Sequence, residues 1–220
     1  SYVQHVGDDK MIANAARVSF GQDNSKPLTK RDQKLIKYLI EHKHTSPFEH
    51  NSITFLFEVP MFVRSQHMRH RTWAYNEISR RYTDVDLKFY QPSLFRTQHK
   101  SNRQASNINE LQNPIIAPSF IDSYSNSSDA IAKWHDHSLD LFDKLIDAGV
   151  CREQARGVLP QNLYTKYYGT VSLSNLLKFI DLRLHEGAQW EIQEVAKACL
   201  QIAEEIWPFS VSAYRELRGS

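Results

Sequence analysis

Residues 69–82 read RHRTWAYNEISRRY. Five basic side chains (Arg69, His70, Arg71, Arg80 and Arg81) share this stretch with one carboxylate, Glu77, one amide, Asn76, one serine, Ser79, and the aromatics Trp73, Tyr75 and Tyr82. Arg64, Gln66 and His67 lie just upstream. Guanidinium groups grip phosphate with paired donors, so the cluster reads as a site for an anion attached to a planar, polar-edged body. Asn76 and Glu77 could read the edge of a heterocycle, and Ser79 could add a phosphate donor. Geometry divides the work: on a helix Arg69 and Arg71 diverge by about 200°, and on a strand Arg80 and Arg81 face opposite sides. The cluster therefore suits two ligands, or one ligand and a neighbouring subunit. The bland alternative is a surface salt-bridge network.

The elements that must carry these residues are legible in part. DDKMIANAARVSF predicts a helix over about 9–18. A second helix follows Thr29 as N-cap, with Leu35, Ile36, Leu39 and Ile40 on one face. SPFEH punctuates the chain at Ser46–His50. NSITFLFEV alternates as a strand, and Pro60 ends it and opens a helix through PMFVRSQHMRHR. A further strand is expected through ISRRYTDV. Residues 88–126, rich in Asn, Ser and Gln, read as a surface excursion, an insertion or a mobile lid. Helices are then predicted over about 128–148, stopped by Gly149, over CREQARGVLP, over 172–183, and over AQWEIQEVAKACLQIAEEIWP, with Pro208 as its stop. Helices dominate and the strands gather in the first half, so the expected class is α+β: one domain over 1–220 with a small, central, mostly antiparallel sheet flanked by helices.

The whole chain narrows the chemistry. It has 220 residues, 41% hydrophobic and 24% charged, with formal net charge +2. That near balance gives no case for a nucleic-acid or membrane partner. No apolar run approaches the length of a membrane span, and no signal peptide is visible, so a cytoplasmic setting is expected. Two cysteines, Cys151 and Cys199, exclude a disulfide scaffold and a four-thiolate metal site; Cys199 reads as core. No Gly-rich dinucleotide fingerprint or phosphate-binding P-loop motif is present. His135 and His137 read as helix-surface residues. No metal is expected, because arginines around His67 and His70 oppose a nearby cation.

RHR followed after seven residues by Ser (Arg69–Arg71, then Ser79) resembles the signature of the flavin-dependent thymidylate synthases. The resemblance extends through AARVSF at Ala15–Phe20, SPFEH at Ser46–His50, QARGVLP at Gln154–Pro160, NLYT at Asn162–Thr165, LR at Leu182–Arg183 and AQWEI at Ala188–Ile192. The blocks keep the family's order over nearly the whole chain. The resemblance implies that family's fold and the reductive methylation of dUMP to dTMP. The carbon would come from 5,10-methylenetetrahydrofolate and the hydride from FAD reduced by NADPH. It also implies a homotetramer with active sites shared between chains. Other readings are a flavin-dependent C5 transfer such as hydroxymethylation on another pyrimidine nucleotide, and a non-catalytic nucleotide- or RNA-binding protein.

The resemblance also distributes roles. Ser46, Arg69, His70, Arg71 and Glu77 fall at flavin positions. Gln66, His67, Met68, Arg69, Glu77, Ile78, Ser79, Arg80, Arg81 and Arg156 fall at or beside nucleotide positions. Arg183 matches the arginine set against the uracil edge, where it would act catalytically by stabilising charge as C5 becomes nucleophilic. Ser79 reads as a binding residue, since no base adjoins it to activate a nucleophile. The chain departs from the pattern at Ala74, often serine, and at Gly187, often histidine. Ser172 and Ser174 stand where the family commonly has Asn-x-Arg on the flavin, and Lys178 replaces a frequent Asn or His. Ser172, Ser174 and Lys178 are the expected flavin contacts here, Lys178 restoring charge from a different place.

Overall fold

The computed structural model describes residues 1–21, 27–121 and 123–218. The 1–220 span and the 88–126 excursion include residues outside that set, and the side chain of Phe20, which ends AARVSF, is also outside it. In chain order the elements are β1 (Tyr2–Val6), α1 (Asp9–Arg17), α2 (Lys30–Glu41), β2 (Ser52–Pro60), α3 (Met61–His67), β3 (Ala74–Glu77), β4 (Phe95–Gln98), β5 (Ser106–Gln112), β6 (Ile115–Ile116), β7 (Ser125–Asn126), α4 (Ser127–Asp147), α5 (Arg152–Ala155), β8 (Tyr164–Ser172), α6 (Leu173–Arg183), α7 (Trp190–Ile206) and α8 (Pro208–Arg218). Short 3-10 turns occupy Val18–Phe20, Ser46–His50 and Arg156–Val158. The fold is α+β, with a four-stranded sheet in the order β1-β2-β8-β3 and two two-stranded ribbons, β4-β5 and β6-β7. The chain packs as two compact units, one of Ser1–Phe57, His70–Asn76 and Tyr168–Ser220, the other of Glu58–Arg69 and Glu77–Tyr167.

In the first unit local chemistry sets the helix ends. Asp8 caps α1 by accepting from Met11 N at 2.8 Å. Thr29 and Asp32 form a reciprocal capping box at the start of α2, satisfying donors that the first helical turn leaves over. Asp32 is fully buried and also takes Lys10 at 3.3 Å and Arg17 from α1, so one carboxylate joins two helices. Asp9 accepts from the backbone N–H groups of Phe209 and Ser210, at 2.9 and 3.0 Å. It thereby caps α8, which Pro208 opens rather than prevents. Pro208 was expected only to stop α7; at the first position of a helix its missing N–H costs nothing.

Two helices of different units end in the same way. Gly149 follows α4 at φ +83°, its N–H on Ile146 O at 2.9 Å and that of Val150 on Leu145 O at 2.9 Å. Lys43 follows α2 at φ 55°, its N–H on Ile40 O at 3.1 Å and that of His44 on Leu39 O at 2.8 Å. These bonds satisfy the last carbonyls of each helix. Lysine in this left-handed conformation costs about 1 kcal/mol relative to glycine. Beneath the helices Ile12, Phe55, Leu173, Leu176, Phe179, Ile192 and Trp207 are buried. At Gly169 on β8, a Cβ would lie 2.8 Å from Phe57 and 3.2 Å from Trp73, so the absence of a side chain lets these rings close over the strand.

The second unit departs more from expectation. The predicted strand through ISRRYTDV is a turn instead. The N–H groups of Tyr82 and Thr83 both bond Ser79 O, at 3.0 and 3.3 Å, which closes the chain on itself, and the strand β3 lies earlier. β8 is a strand in the second half of the chain that the pattern did not announce. Residues 88–126 hold the antiparallel ribbon β4-β5, with Phe95 opposite Gln112 and Gln98 opposite Ser106, and the short pair β6-β7. α4 begins at its cap Asn126, which accepts from Asp129 N at 2.9 Å. His135, expected on the helix surface, is buried and stacks on Phe89 with ring centroids 4.5 Å apart; burial lowers its pKa. Cys199 is core, as expected, and burial pushes its thiol up to about 12.

Candidate active site

The second unit holds a cavity of about 480 Å³ lined by Arg64, Glu77, Arg80, Arg156, Gln161 and Thr165, among others. Backbone pairing positions its parts. Met61 N bonds Leu163 O at 3.0 Å and fixes the start of α3, while Ile78 N bonds Lys166 O at 2.9 Å and sets Glu77 beside Thr165. Thr165 Oγ1 donates to Glu77 Oε1 at 2.6 Å. Arg64 Nε donates to Glu77 Oε2 at 2.9 Å, and Arg64 Nη2 donates to the same oxygen. Both carboxylate oxygens are thus engaged, which fixes the group's orientation on the cavity wall.

Arg80 spends two donors on backbone. Nη1 bonds Val85 O at 2.8 Å and Nη2 bonds Tyr164 O at 3.3 Å; burial lowers its pKa, opposed by Asp86 and Asp84. Arg81 pairs with Glu153 at 3.2 Å, and Arg152 pairs with Asp84. The Ser79–Asp86 turn is therefore tied to α5, after which comes the exposed Arg156. The cavity has three guanidinium groups against two carboxylates, Glu77 and Glu153. With Glu77 engaged by Arg64, it favours an anionic ligand.

In the first unit Arg183 Nε donates to His70 Nε2 at 3.0 Å. His70 accepts this bond only when that nitrogen is unprotonated. Burial, and then the Arg183 charge, lower its pKa to about 4. The neutral ring also meets Phe179 edge-on at 4.9 Å, while Tyr75 Oη donates to His70 O at 3.1 Å. The sign follows: a histidine with a depressed pKa binds its proton more readily in the unfolded chain, so its contribution to stability is present above about pH 6.5 and is lost as pH falls toward 4.

The same unit has a second cavity, of about 540 Å³, with Leu39, Lys43, His44, Phe48, Ser174 and Lys178 among its lining. Ser174 is buried and its Oγ has no hydrogen-bond partner among the described residues. Lys178 Nζ reaches Asn175 Oδ1 at 3.3 Å. Ser172 caps α6, its Oγ accepting from Asn175 N at 3.4 Å.

The residues picked from sequence thus fall into two groups. Ser46, His70, Arg71, Ser172, Ser174, Lys178 and Arg183 belong to the first unit, and Gln66, His67, Met68, Arg69, Glu77, Ile78, Ser79, Arg80, Arg81 and Arg156 to the second. Among the first group, His70 meets Arg183, and Ser174 and Lys178 share a cavity. Among the second, Glu77, Ile78, Arg80 and Arg156 share one. His67 is fully buried, its Nδ1 2.8 Å from Tyr167 Oη, and does not line that cavity. Ser46, Arg69 and Arg71 are exposed. Sequence reasoning assigned no role to Arg64, Thr165 or Lys43. Arg64 had its place beside the cluster and Thr165 its place in NLYT as signals; Lys43 had none, since only the backbone marks it. Among the described residues no group of three or more His, Cys, Asp or Glu could hold a metal ion, and no helix is long and apolar enough to cross a membrane.

A family model described as thymidylate synthase complementing protein matches residues 2–209. The flavin-dependent thymidylate synthase of Thermus thermophilus is 40% identical over 214 residues, covering 97% of this chain and 74% of that protein. That of Thermosipho melanesiensis is 38% identical over 213 residues, covering 96% and 88%. Among solved structures, the UMP/dUMP methylase PolB from Streptomyces cacaoi bound with 5-Br UMP superposes with TM-score 0.80 at 29% identity, covering 99% of this chain and 93% of that one. The same methylase bound with 5-Br dUMP gives TM-score 0.80 at 31% identity, covering 98% and 94%.

Proposed function

The chain belongs to the flavin-dependent thymidylate synthase family and is an enzyme of that kind, and on that premise we propose that it methylates dUMP at C5 to give dTMP. The carbon donor is 5,10-methylenetetrahydrofolate and the reductant is NADPH acting through FAD. The observation that carries the nucleotide half is the second-unit cavity, where Arg64, Arg80 and Arg156 share the lining with Glu77, which Arg64 and Thr165 orient. Arginines supply phosphate donors, and Glu77 offers a fixed acceptor edge to sugar or base. In the homotetramer that the resemblance implies, groups from the two units need not come from one copy of the chain.

A flavin fits the first unit on the chemistry of its cavity: an apolar wall, the orphaned Ser174 hydroxyl, and the ammonium groups of Lys43 and Lys178. Ser174 and Lys178, on that cavity, would hold it, joined by Ser46 and His70, which the resemblance assigns to the flavin and which do not line the cavity, and when bound it supplies the hydride. Arg183 stabilises negative charge on the pyrimidine as C5 becomes nucleophilic. His70, neutral at working pH, accepts from Arg183 Nε and so orients the guanidinium. Cys199 takes no part, because it is buried with its thiol held protonated.

The test is anaerobic. FAD-loaded protein is reduced with NADPH, methylenetetrahydrofolate and dUMP are added, and the nucleotide is analysed by mass spectrometry. dTMP is the expected product; flavin binding without dTMP would overturn the proposal. A parallel reaction with UMP tests ribonucleotide methylation, a reading favoured by the similarity to a UMP/dUMP methylase.

A further inference from the structure

Lys43 holds a backbone conformation that glycine adopts without strain, as Gly149 does at the matching position after α4. Glycine would keep both hydrogen bonds that end α2, so the helix itself gives no reason for a lysine. Strain retained in this way points to a role for the side chain. That residue borders the 540 Å³ cavity, as does Lys178 on α6, and the apolar Leu39 of α2, Leu177 of α6 and Phe48 line it as well.

The other charged groups on the cavity are accounted for. Asp181 accepts from Tyr214 and pairs with Arg218 at 2.8 Å, which neutralises it, and Glu41 is the remaining carboxylate beside Lys43, Lys178 and His44. Ser174 adds a buried hydroxyl with no hydrogen-bond partner among the described residues. The chamber therefore combines apolar walls with two ammonium groups at its margin, a match for a ligand with a flat body and a phosphate. Resting on the flavin reading above, we infer that Lys43 and Lys178 bind the phosphate groups of the flavin nucleotide. They supply, from the turn after α2 and from α6, the positive charge that Ser174 does not carry.

The experiment measures dissociation constants of FAD and riboflavin for the full chain by flavin fluorescence, because riboflavin has the ring and no phosphate. Wild type is compared with Lys43→Gly, Lys43→Arg and Lys178→Gln. Lys43→Gly is expected to weaken FAD about tenfold, the scale of one lost charge-assisted hydrogen bond, and to leave riboflavin within about twofold. Its flavin-free melting temperature should rise by about 2–4 °C as the backbone strain is relieved. Lys43→Arg should retain the preference for FAD, and Lys178→Gln should reduce it. A stabilised Lys43→Gly protein with unchanged FAD affinity would overturn the inference, as would parallel loss of FAD and riboflavin. Wild type that binds no flavin would overturn both the inference and the cofactor reading beneath it.

Discussion

Thr165 shows how much of this site depends on single bonds. Its hydroxyl takes one oxygen of Glu77, and Arg64 takes the other. Thr165→Val keeps the shape and leaves one carboxylate oxygen unpaired on the cavity wall. A hydrogen bond to a charged group is worth about 1.5–3 kcal/mol, so dUMP affinity measured calorimetrically should fall by about tenfold, with FAD affinity unchanged. A change under twofold would mean that Arg64 alone orients Glu77. Residue types made the cluster readable from sequence, since arginines, a carboxylate and an amide advertise anion recognition. Their division of labour did not show. Arg80 reads as a ligand contact, yet two of its nitrogens bond backbone carbonyls. Only the folded turn reveals that use.

Among the elements, α1 and α2 depend on Asp32. Burial opposes its charge most strongly, but the side-chain and backbone bonds from Thr29, with Lys10 and Arg17, together lower its pKa to about 2. A carboxyl with a depressed pKa stabilises the fold above its unfolded value near 4, and that contribution disappears as pH falls toward 2. Denaturant titrations should therefore show wild-type stability dropping over that window. Asp32→Asn should flatten the drop and cost about 3–5 kcal/mol at neutral pH by leaving two cations without their partner. A neutral-pH loss below about 1 kcal/mol would show that Lys10 and Arg17 find solvent instead. The sequence announced α2 through Thr29 and its apolar face. It did not announce β8, because YTKYYGTVS mixes large aromatics, Lys166 and Gly169 in a run without a clean polar face. Nor did it announce α8, since a proline after a long helix reads equally well as an end or a beginning.

For the whole molecule, class was easier to read than assembly. Periodic helices and a few strands gave α+β, and motif order gave the family; the two units arise from contacts between segments far apart in the chain, which no local pattern encodes. If active sites are shared as proposed, sedimentation of the flavin-loaded protein should give a mass about four times 25.6 kDa. A monomer with full turnover would refute sharing. The order β1-β2-β8-β3 carries a consequence for synthesis. β8 lies between strands completed by residue 77, yet its own residues are 164–172. A growing chain must therefore display unpaired edges of β2 and β3 while roughly another ninety residues leave the ribosome. Such edges attract other chains, so the yield of this protein should depend on translation speed and chaperone supply before residue 172 emerges.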